Sequence, residues 1–181
     1  ERGEGNIAQN PKMHPGSIIR INKDGTLPHD NPAFKNNPEW LPEIYSIGVR
    51  NPQGIAISPY NGEVLFSQHG PRGGDNIAKV LSGGNYGWNE VAWGGTEYSG
   101  RKIGDTPFKK KFVKPIKVWV PSIAVGNIGF YNGKAFKEWN GDLLVTATKT
   151  EMLLRLDYFN GNIIGEEIIL QGEIGRIRDF E

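Results

Sequence analysis

Residues 48–88 contain three glycine-rich stretches, GVRNPQG (48–54), QHGPRGGD (68–75) and GGNYGW (83–88). Glycine and proline at this density are incompatible with a regular helix or a central strand, so we predict loops whose backbone can approach a ligand closely. Between the first two stretches lies GIAISPYNGEVLFSQ (54–68), which has the pattern of a β-hairpin. A hairpin with polar, glycine-rich loops at its ends is typical of a binding site in an all-β protein.

The hairpin is centred on Asn61-Gly62, a pair that favours a type I′ turn because both central residues of that turn need positive φ. The pair recurs beside apolar runs at Asn132-Gly133, Asn140-Gly141 and Asn160-Gly161. Further apolar and β-branched runs predict strands at residues 16–22, 44–48, 54–58, 63–68, 76–81, 118–120, 128–131, 142–148, 153–158 and 168–170. Residues 134–139 have room for one helical turn. We therefore predict an all-β antiparallel meander.

A faint internal repeat indicates how these strands are arranged. GIAISPYNGEVLFSQHG (54–70), followed by NIAKV (76–80), parallels IGFYNGKAFKEWNGDLLVTATKT (128–150), followed by LLRLDY (153–158). Each copy has a strand, an Asn-Gly turn, a second strand with a polar end, and a third strand. Repeated meanders of this size favour β-propeller blades. A β-sandwich is the alternative, because it also uses short strands at regular spacing.

The composition is that of a single globular domain. The chain has 181 residues, 37% hydrophobic and 23% charged, which is enough for a buried core and too apolar for disorder. The net charge of +1 gives no reason to expect a nucleic acid or membrane partner, and no apolar run approaches the length of a membrane span. The absence of cysteine excludes disulfides and thiolate metal sites. No signal peptide is visible, and because the sequence begins at Glu1 we expect it to be an internal piece of a longer chain.

Three motifs carry a family resemblance: RNPQG (50–54), HGPRGGD (69–75) and NYGW (85–88). In this order and spacing they resemble the soluble pyrroloquinoline quinone (PQQ)-dependent aldose sugar dehydrogenases, also called glucose/sorbosone dehydrogenases. The likeness extends over nearly the whole chain, through VPSIAV (120–125) and DLLVTATKTEMLLRL (142–156) to GRIRDF (175–180). It implies a six-bladed β-propeller with PQQ and calcium at one end of the central channel. Residues 1–181 would then form a partial propeller domain, roughly from the end of the second blade to the start of the sixth.

The resemblance also implies an activity. Members of the family oxidise the C1 hydroxyl of aldose sugars to lactones by hydride transfer to calcium-bound PQQ, and they pass the electrons to an external acceptor. A periplasmic or secreted location is implied as well.

PQQ is an ortho-quinone with three carboxylates, so its site needs several cations and a group that stabilises charge on a quinone oxygen. By the resemblance, Arg50 and Asn51 would contact the quinone oxygens, and the carbonyls of Gly70 and Pro71 would bind Ca²⁺. The remaining implied site residues are Lys149, Arg176 and Arg178 for the carboxylates, Ser122 as a lesser hydrogen-bonding partner, and Gln53, His69 and Trp119 as cavity walls, Trp119 on the sugar side.

Each of these residues also has a purely structural interpretation. Arg50 could hydrogen-bond a loop carbonyl, and Lys149 beside a turn could be solvated. Arg176 and Arg178 alternate as they would on one face of an exposed edge strand. Two other functions therefore stay open: a carbohydrate- or partner-binding propeller without catalysis, and a structural fragment whose cofactor residues are vestigial.

The chain departs from the family pattern at three places. The family's general base is a histidine that no residue of this chain matches, so we predict that the 181-residue chain alone does not turn over sugar. Asn76 stands where many members have glutamate, and Asn89 where proline commonly follows NYGW. These last two put a second, structural calcium site in doubt.

Overall fold

A computed structural model describes residues 6–181, and β-strands are its main regular elements. The strands are β1 (Ile18–Ile19), β2 (Ile44–Ile47), β3 (Pro52–Ile57), β4 (Val64–Gln68), β5 (Asp75–Lys79), β6 (Gly84–Asn85), β7 (Lys117–Trp119), β8 (Val125–Phe130), β9 (Leu143–Ala147), β10 (Met152–Phe159) and β11 (Asn162–Gln171). Short 3₁₀ turns lie at Ile7–Gln9, Pro32–Phe34 and Lys137–Trp139. In the part of the chain that is described, no helix is both long and apolar enough to cross a membrane.

Two four-stranded antiparallel sheets form the body of the molecule. The first, blade I, has the order β3-β4-β5-β7, and the second, blade II, has the order β8-β9-β10-β11. In both sheets each strand pairs with the next strand of that sheet along the chain, as propeller blades do and Greek-key sandwiches do not. A third sheet has the order β1-β2-β6, with β2 and β6 parallel. The predicted all-β propeller is thus confirmed.

The main core lies between the two blades. Alternate residues of a strand face opposite sides of the sheet, so Leu65 and Phe66 of β4 enter different cores. Leu65 packs with Leu154 and other apolar residues of blade II. Phe66 packs on the far side of blade I against Tyr86, with ring centroids 4.8 Å apart. The third sheet and blade II therefore flank blade I.

A glycine allows the inner strands of the two blades to approach closely. A Cβ on Gly54 of β3 would lie 2.7 Å from the backbone nitrogen of Ile128 in β8. That distance is shorter than the contacts side chains make, so only glycine fits without moving a strand. Nearby, the Ser67 hydroxyl donates to the Gly126 carbonyl at 2.7 Å.

The Asn-Gly turns differ from one another. Asn160 (φ 48°) and Gly161 (φ 78°) connect the paired residues Phe159 and Asn162, which is the predicted type I′ geometry. The type I′ prediction is wrong at Asn61-Gly62, where Gly62 alone of the pair has positive φ. There the Ser58 N–H donates to Glu63 across a four-residue loop. Proline at position 59 fixes a negative φ and so favours the longer loop.

The structure also corrects the expectation for the C-terminal segment. Residues 172–181 contain no strand, so Arg176 and Arg178 do not alternate on a strand edge. The last strand instead spans Asn162–Gln171 and is longer than the predicted 168–170. Gly165 and the pair Glu166-Glu167 interrupt the apolar pattern there. The first part of this strand therefore has no clear strand signal in the sequence.

A charged contact joins the two blades at the end where β4 begins. Glu63 accepts from Lys79 of blade I at 2.5 Å and from the Tyr158 hydroxyl of blade II at 2.5 Å. The Lys79 ammonium and then the Tyr158 hydroxyl lower the pKa of Glu63 from 4.5 to about 2. Because the folded state favours the ionised form, the contact stabilises the fold above about pH 4.5, and this stabilisation is lost as the pH falls toward 2.

We expect Glu63→Gln to lower the free energy of unfolding by about 1–3 kcal/mol near neutral pH, since it removes charge-assisted hydrogen bonds. Urea unfolding of the variant and the wild-type chain, measured over a pH series, checks this. The difference between the two should shrink as the pH falls between about 4.5 and 2. A difference that stays constant over that range would show that the Glu63 charge does not stabilise the fold.

Candidate functional site

The predicted site residues lie at one end of the blades. Because the strands are antiparallel, the starts of β3, β5 and β8 lie beside the ends of β4, β7 and β9. We call the loops at this edge the loop end; they comprise residues 50–51, 69–74, 120–124 and 148–151. The opposite edge carries the Glu63 contact. The topology therefore brings the loops of the predicted site to the same end of the blades.

Arg50 is buried at the loop end, with 3% of its surface exposed. Its backbone N–H donates to the side-chain oxygen of Gln68 at 2.9 Å. Its guanidinium donates from Nη1 to the carbonyl of Gly70 at 2.9 Å and to that of His69 at 3.3 Å. The guanidinium carbon also lies 5.1 Å from the ring centroid of Trp88, within cation–π distance. These contacts give the buried charge a fixed position.

His69 lies in a chain of polar side chains that defines its tautomer. Its Nε2 is 2.7 Å from the carbonyl of Val125 in blade II, so Nε2 carries the proton and donates. Its Nδ1 is then the acceptor and faces the Asn51 amide nitrogen at 3.4 Å. The Asn51 oxygen accepts in turn from Gln53 at 3.0 Å. Of the implied wall residues, His69 and Gln53 therefore lie beside Asn51.

The loop between β4 and β5 is held in place by Asp75, for which the sequence alone predicts no role. Asp75 is fully buried, and its Oδ1 accepts from the N–H of Gly70 at 2.9 Å. At the other side of the loop, the Gly74 N–H donates to the Trp119 carbonyl at 2.8 Å. The Asn76 amide donates to the Gly74 carbonyl at 2.9 Å. These bonds hold the backbone at Gly70 and Gly74, the two ends of the glycine-rich segment.

Ser122 and Trp119 are both buried beside this loop. The Ser122 hydroxyl donates to Asp75 Oδ2 at 2.7 Å and accepts from the Ala124 N–H at 3.1 Å. Its only proton is thus donated to Asp75. Trp119 belongs to the core between the blades, and its indole N–H donates to Glu166 at 3.2 Å. The ligand roles of Ser122 and Trp119 stay predictions.

The three implied carboxylate-binding cations are exposed. Lys149 follows β9, and its backbone N–H donates to the carbonyl of Ile123 at 3.1 Å, which places it at the loop end. Arg176 and Arg178 follow β11, and the carbonyl of Arg178 accepts from the N–H of Asn127 in β8 at 3.2 Å. Convergence of these three side chains with Arg50 on one cavity stays a prediction.

A small cavity of about 30 Å³ lies beneath the loop end, and Arg50, His69, Gly70, Pro71 and Trp88 contribute to its wall. This volume holds one or two water molecules and excludes a tricyclic cofactor. Among residues 6–181 there is no group of three or more His, Cys, Asp or Glu that could hold a metal ion.

The chain is similar to known proteins along its whole length. The profile of the glucose/sorbosone dehydrogenase family matches residues 1–181. The chain is 35% identical to an aldose sugar dehydrogenase of Escherichia coli K12 over 98% of its own length and 48% of that protein. It is 39% identical to an uncharacterised Synechocystis protein over 95% of its length and 41% of that protein.

Solved structures agree with these matches. The apo-form crystal structure of the soluble aldose sugar dehydrogenase from Escherichia coli matches with a TM-score of 0.90 and 34% identity, over 99% of this chain and 52% of that one. A PQQ-bound aldose sugar dehydrogenase from Streptomyces coelicolor matches with a TM-score of 0.75 and 25% identity, over 97% of this chain and 45% of that one. The chain thus spans about half the length of these relatives. It belongs to the glucose/sorbosone dehydrogenase family.

Proposed function

We propose that this chain forms part of a PQQ-dependent aldose sugar dehydrogenase, which oxidises the C1 hydroxyl of aldoses to lactones. The observation that carries the proposal is the buried guanidinium of Arg50 on the Gly70 carbonyl, within motifs that match this family. The PQQ-bound relative supports the choice of cofactor. An aldose substrate, an external electron acceptor and a periplasmic or secreted location belong to the same proposal.

Calcium fits the chemistry of the loop. Ca²⁺ prefers oxygen ligands and takes six to eight of them, carbonyls included. The carbonyls of Gly70 and Pro71 would supply two, so water and the cofactor's own oxygens would have to supply the rest. The Gly70 oxygen already accepts from Arg50, but a carbonyl has a second lone pair. The buried carboxylate of Asp75 on the same glycine offsets the added positive charge.

PQQ, when bound, would supply an ortho-quinone that accepts the hydride from C1 of the sugar. Arg50 and Asn51 would lie near the quinone oxygens, where a guanidinium stabilises developing negative charge. Lys149, Arg176 and Arg178 are exposed and free to bind the carboxylates. Ser122 would be a minor partner once its hydroxyl turned away from Asp75. The internal cavity of about 30 Å³ is too small to hold the cofactor.

The experiment that tests this function is a titration of the chain with PQQ and Ca²⁺, followed by the absorbance of the quinone. We expect a saturable absorbance change in the wild-type chain and an affinity lowered about 10–100-fold in Arg50→Leu, because hydrogen bonds to charged groups contribute about 1.5–3 kcal/mol. Arg20→Leu is the matched control, since Arg20 pairs with Asp30 at the surface. No absorbance change in the wild type, or equal affinities of the two variants, would contradict the proposal. A non-catalytic propeller predicts the first of these results.

A further inference from the structure

Two charged side chains are buried among the described residues, and both bind the same glycine. Arg50 and Asp75 are 3% and 0% exposed, and the other buried polar residues are uncharged. Arg50 donates to the carbonyl of Gly70 at 2.9 Å, whereas Asp75 accepts from its N–H at 2.9 Å. The carbonyl and the N–H of Gly70 are thus hydrogen-bonded to side chains of opposite charge. Buried charges are costly unless they are compensated in this way.

Gly70 is also closely packed by its own loop. A Cβ on Gly70 would lie 2.0 Å from the carbonyl oxygen of Gly73, so the loop folds directly over this residue. Pro71 follows and has no N–H of its own. The hydrogen bond from the Gly70 N–H to Asp75 therefore holds the first part of the loop in place.

Asp75 also connects the loop to blade II. Its Oδ2 accepts from the Ser122 hydroxyl at 2.7 Å and from the Val125 N–H, the first residue of β8, at 3.2 Å. All three partners are donors, and a carboxylate has two acceptor oxygens that satisfy each of them. An asparagine of the same shape has one acceptor oxygen and an NH₂ group that would face a donor. The three donors around position 75 therefore favour the carboxylate of aspartate over the amide of asparagine, although the two side chains have the same shape.

We propose that Asp75 is a positioning residue for the calcium loop: its buried negative charge fixes the Gly70 amide and compensates the two cations, Arg50 and Ca²⁺, that share the Gly70 carbonyl. This inference rests on the proposed function for the identity of the ion. Without the carboxylate, Ca²⁺ would approach a carbonyl already bound by a guanidinium, with no opposite charge on the same residue. Outer partners of this kind typically change metal affinity by about 10–100-fold.

The test is calorimetric titration of Ca²⁺ into the PQQ-saturated chain, comparing wild type, Asp75→Asn and Glu63→Gln. Glu63→Gln is the matched control because it removes a carboxylate that joins the same blades at their opposite end. We expect Asp75→Asn to lower Ca²⁺ affinity about 10–100-fold and Glu63→Gln to leave it within a factor of about two. Equal affinity of wild type and Asp75→Asn, or an equal loss in the control, would overturn the inference.

Hydrogen exchange of the Gly70 amide gives a readout that needs no calcium. We expect exchange about tenfold faster in Asp75→Asn, with the amides of β4 unchanged. Unchanged protection of Gly70 would overturn the inference. A wild-type chain that binds no Ca²⁺ would refute the proposed metal site, and the exchange comparison would still decide the role of Asp75. If Asp75→Asn does not fold, Asp75→Glu replaces it: the charge is kept but displaced, and we expect faster Gly70 exchange and a partial loss of affinity.

Discussion

The Gly70→Ala variant is expected to lose about 3 kcal/mol of stability together with the calcium binding proposed for the loop end. A Cβ at this position would meet the Gly73 carbonyl oxygen at 2.0 Å and the Gly74 carbonyl carbon at 2.7 Å, and both are backbone atoms that cannot rotate away. Relief requires the loop to shift, and a shift breaks the bonds that Arg50 and Asp75 make with Gly70. Thermal and urea unfolding measure the first effect, and Ca²⁺ titration with PQQ measures the second.

Gly73→Ala is the matched control in the same loop. Its Cβ would find its nearest neighbour, a methyl of Val120, at 3.4 Å, which is an ordinary van der Waals distance. Neither glycine has a positive φ, so the two variants differ in local space and not in backbone preference. We expect Gly73→Ala to stay within about 0.5 kcal/mol of the wild-type chain. If both variants unfold alike, the close packing of the loop over Gly70 does not determine stability.

The strands of the two blades could be predicted from the sequence because their signals are local. Apolar alternation and flanking turns identify β4, β5, β9 and β10 within a few residues of their observed bounds. β6 (Gly84–Asn85) could not be found in this way, since its backbone pairs with β2 while its residues have the composition of a loop. Strands of this kind form because two distant segments pair, and such pairing leaves no local pattern in the sequence.

The internal contacts of the candidate site could be predicted from the sequence only in part. Family motifs bring Arg50 and Gly70 to one end of the blades, and the structure places them in hydrogen-bond contact. Asp75 belongs to the HGPRGGD motif (69–75), yet its burial depends on Ser122 and Val125, which lie about 50 residues away. A charged residue next to glycines is usually exposed, so only the tertiary fold shows that this carboxylate is enclosed.

The chain has three histidines that could replace the missing general base. His14 lies at the surface and pairs with Glu43 at 2.6 Å. His29 packs edge-on against Phe34, with centroids 6.0 Å apart, in the long connection between β1 and β2. His69 donates from Nε2 to a carbonyl and turns Nδ1 toward Asn51. Among them, only His69 lies at the loop end, and its hydrogen bonds occupy both ring nitrogens.

The 181-residue chain on its own is therefore expected to oxidise aldoses about 10²–10⁴-fold more slowly than a full-length enzyme of the family. The hydride leaves C1 only as the C1 hydroxyl gives up its proton, and no histidine of this chain is placed to accept that proton. Dye-linked aldose oxidation with added PQQ and Ca²⁺ measures the difference. Rates within about tenfold of each other would contradict the expectation. In that case loss of activity in His69→Ala would identify His69 as the substitute base, and its Nδ1, released from Asn51, would be the accepting atom.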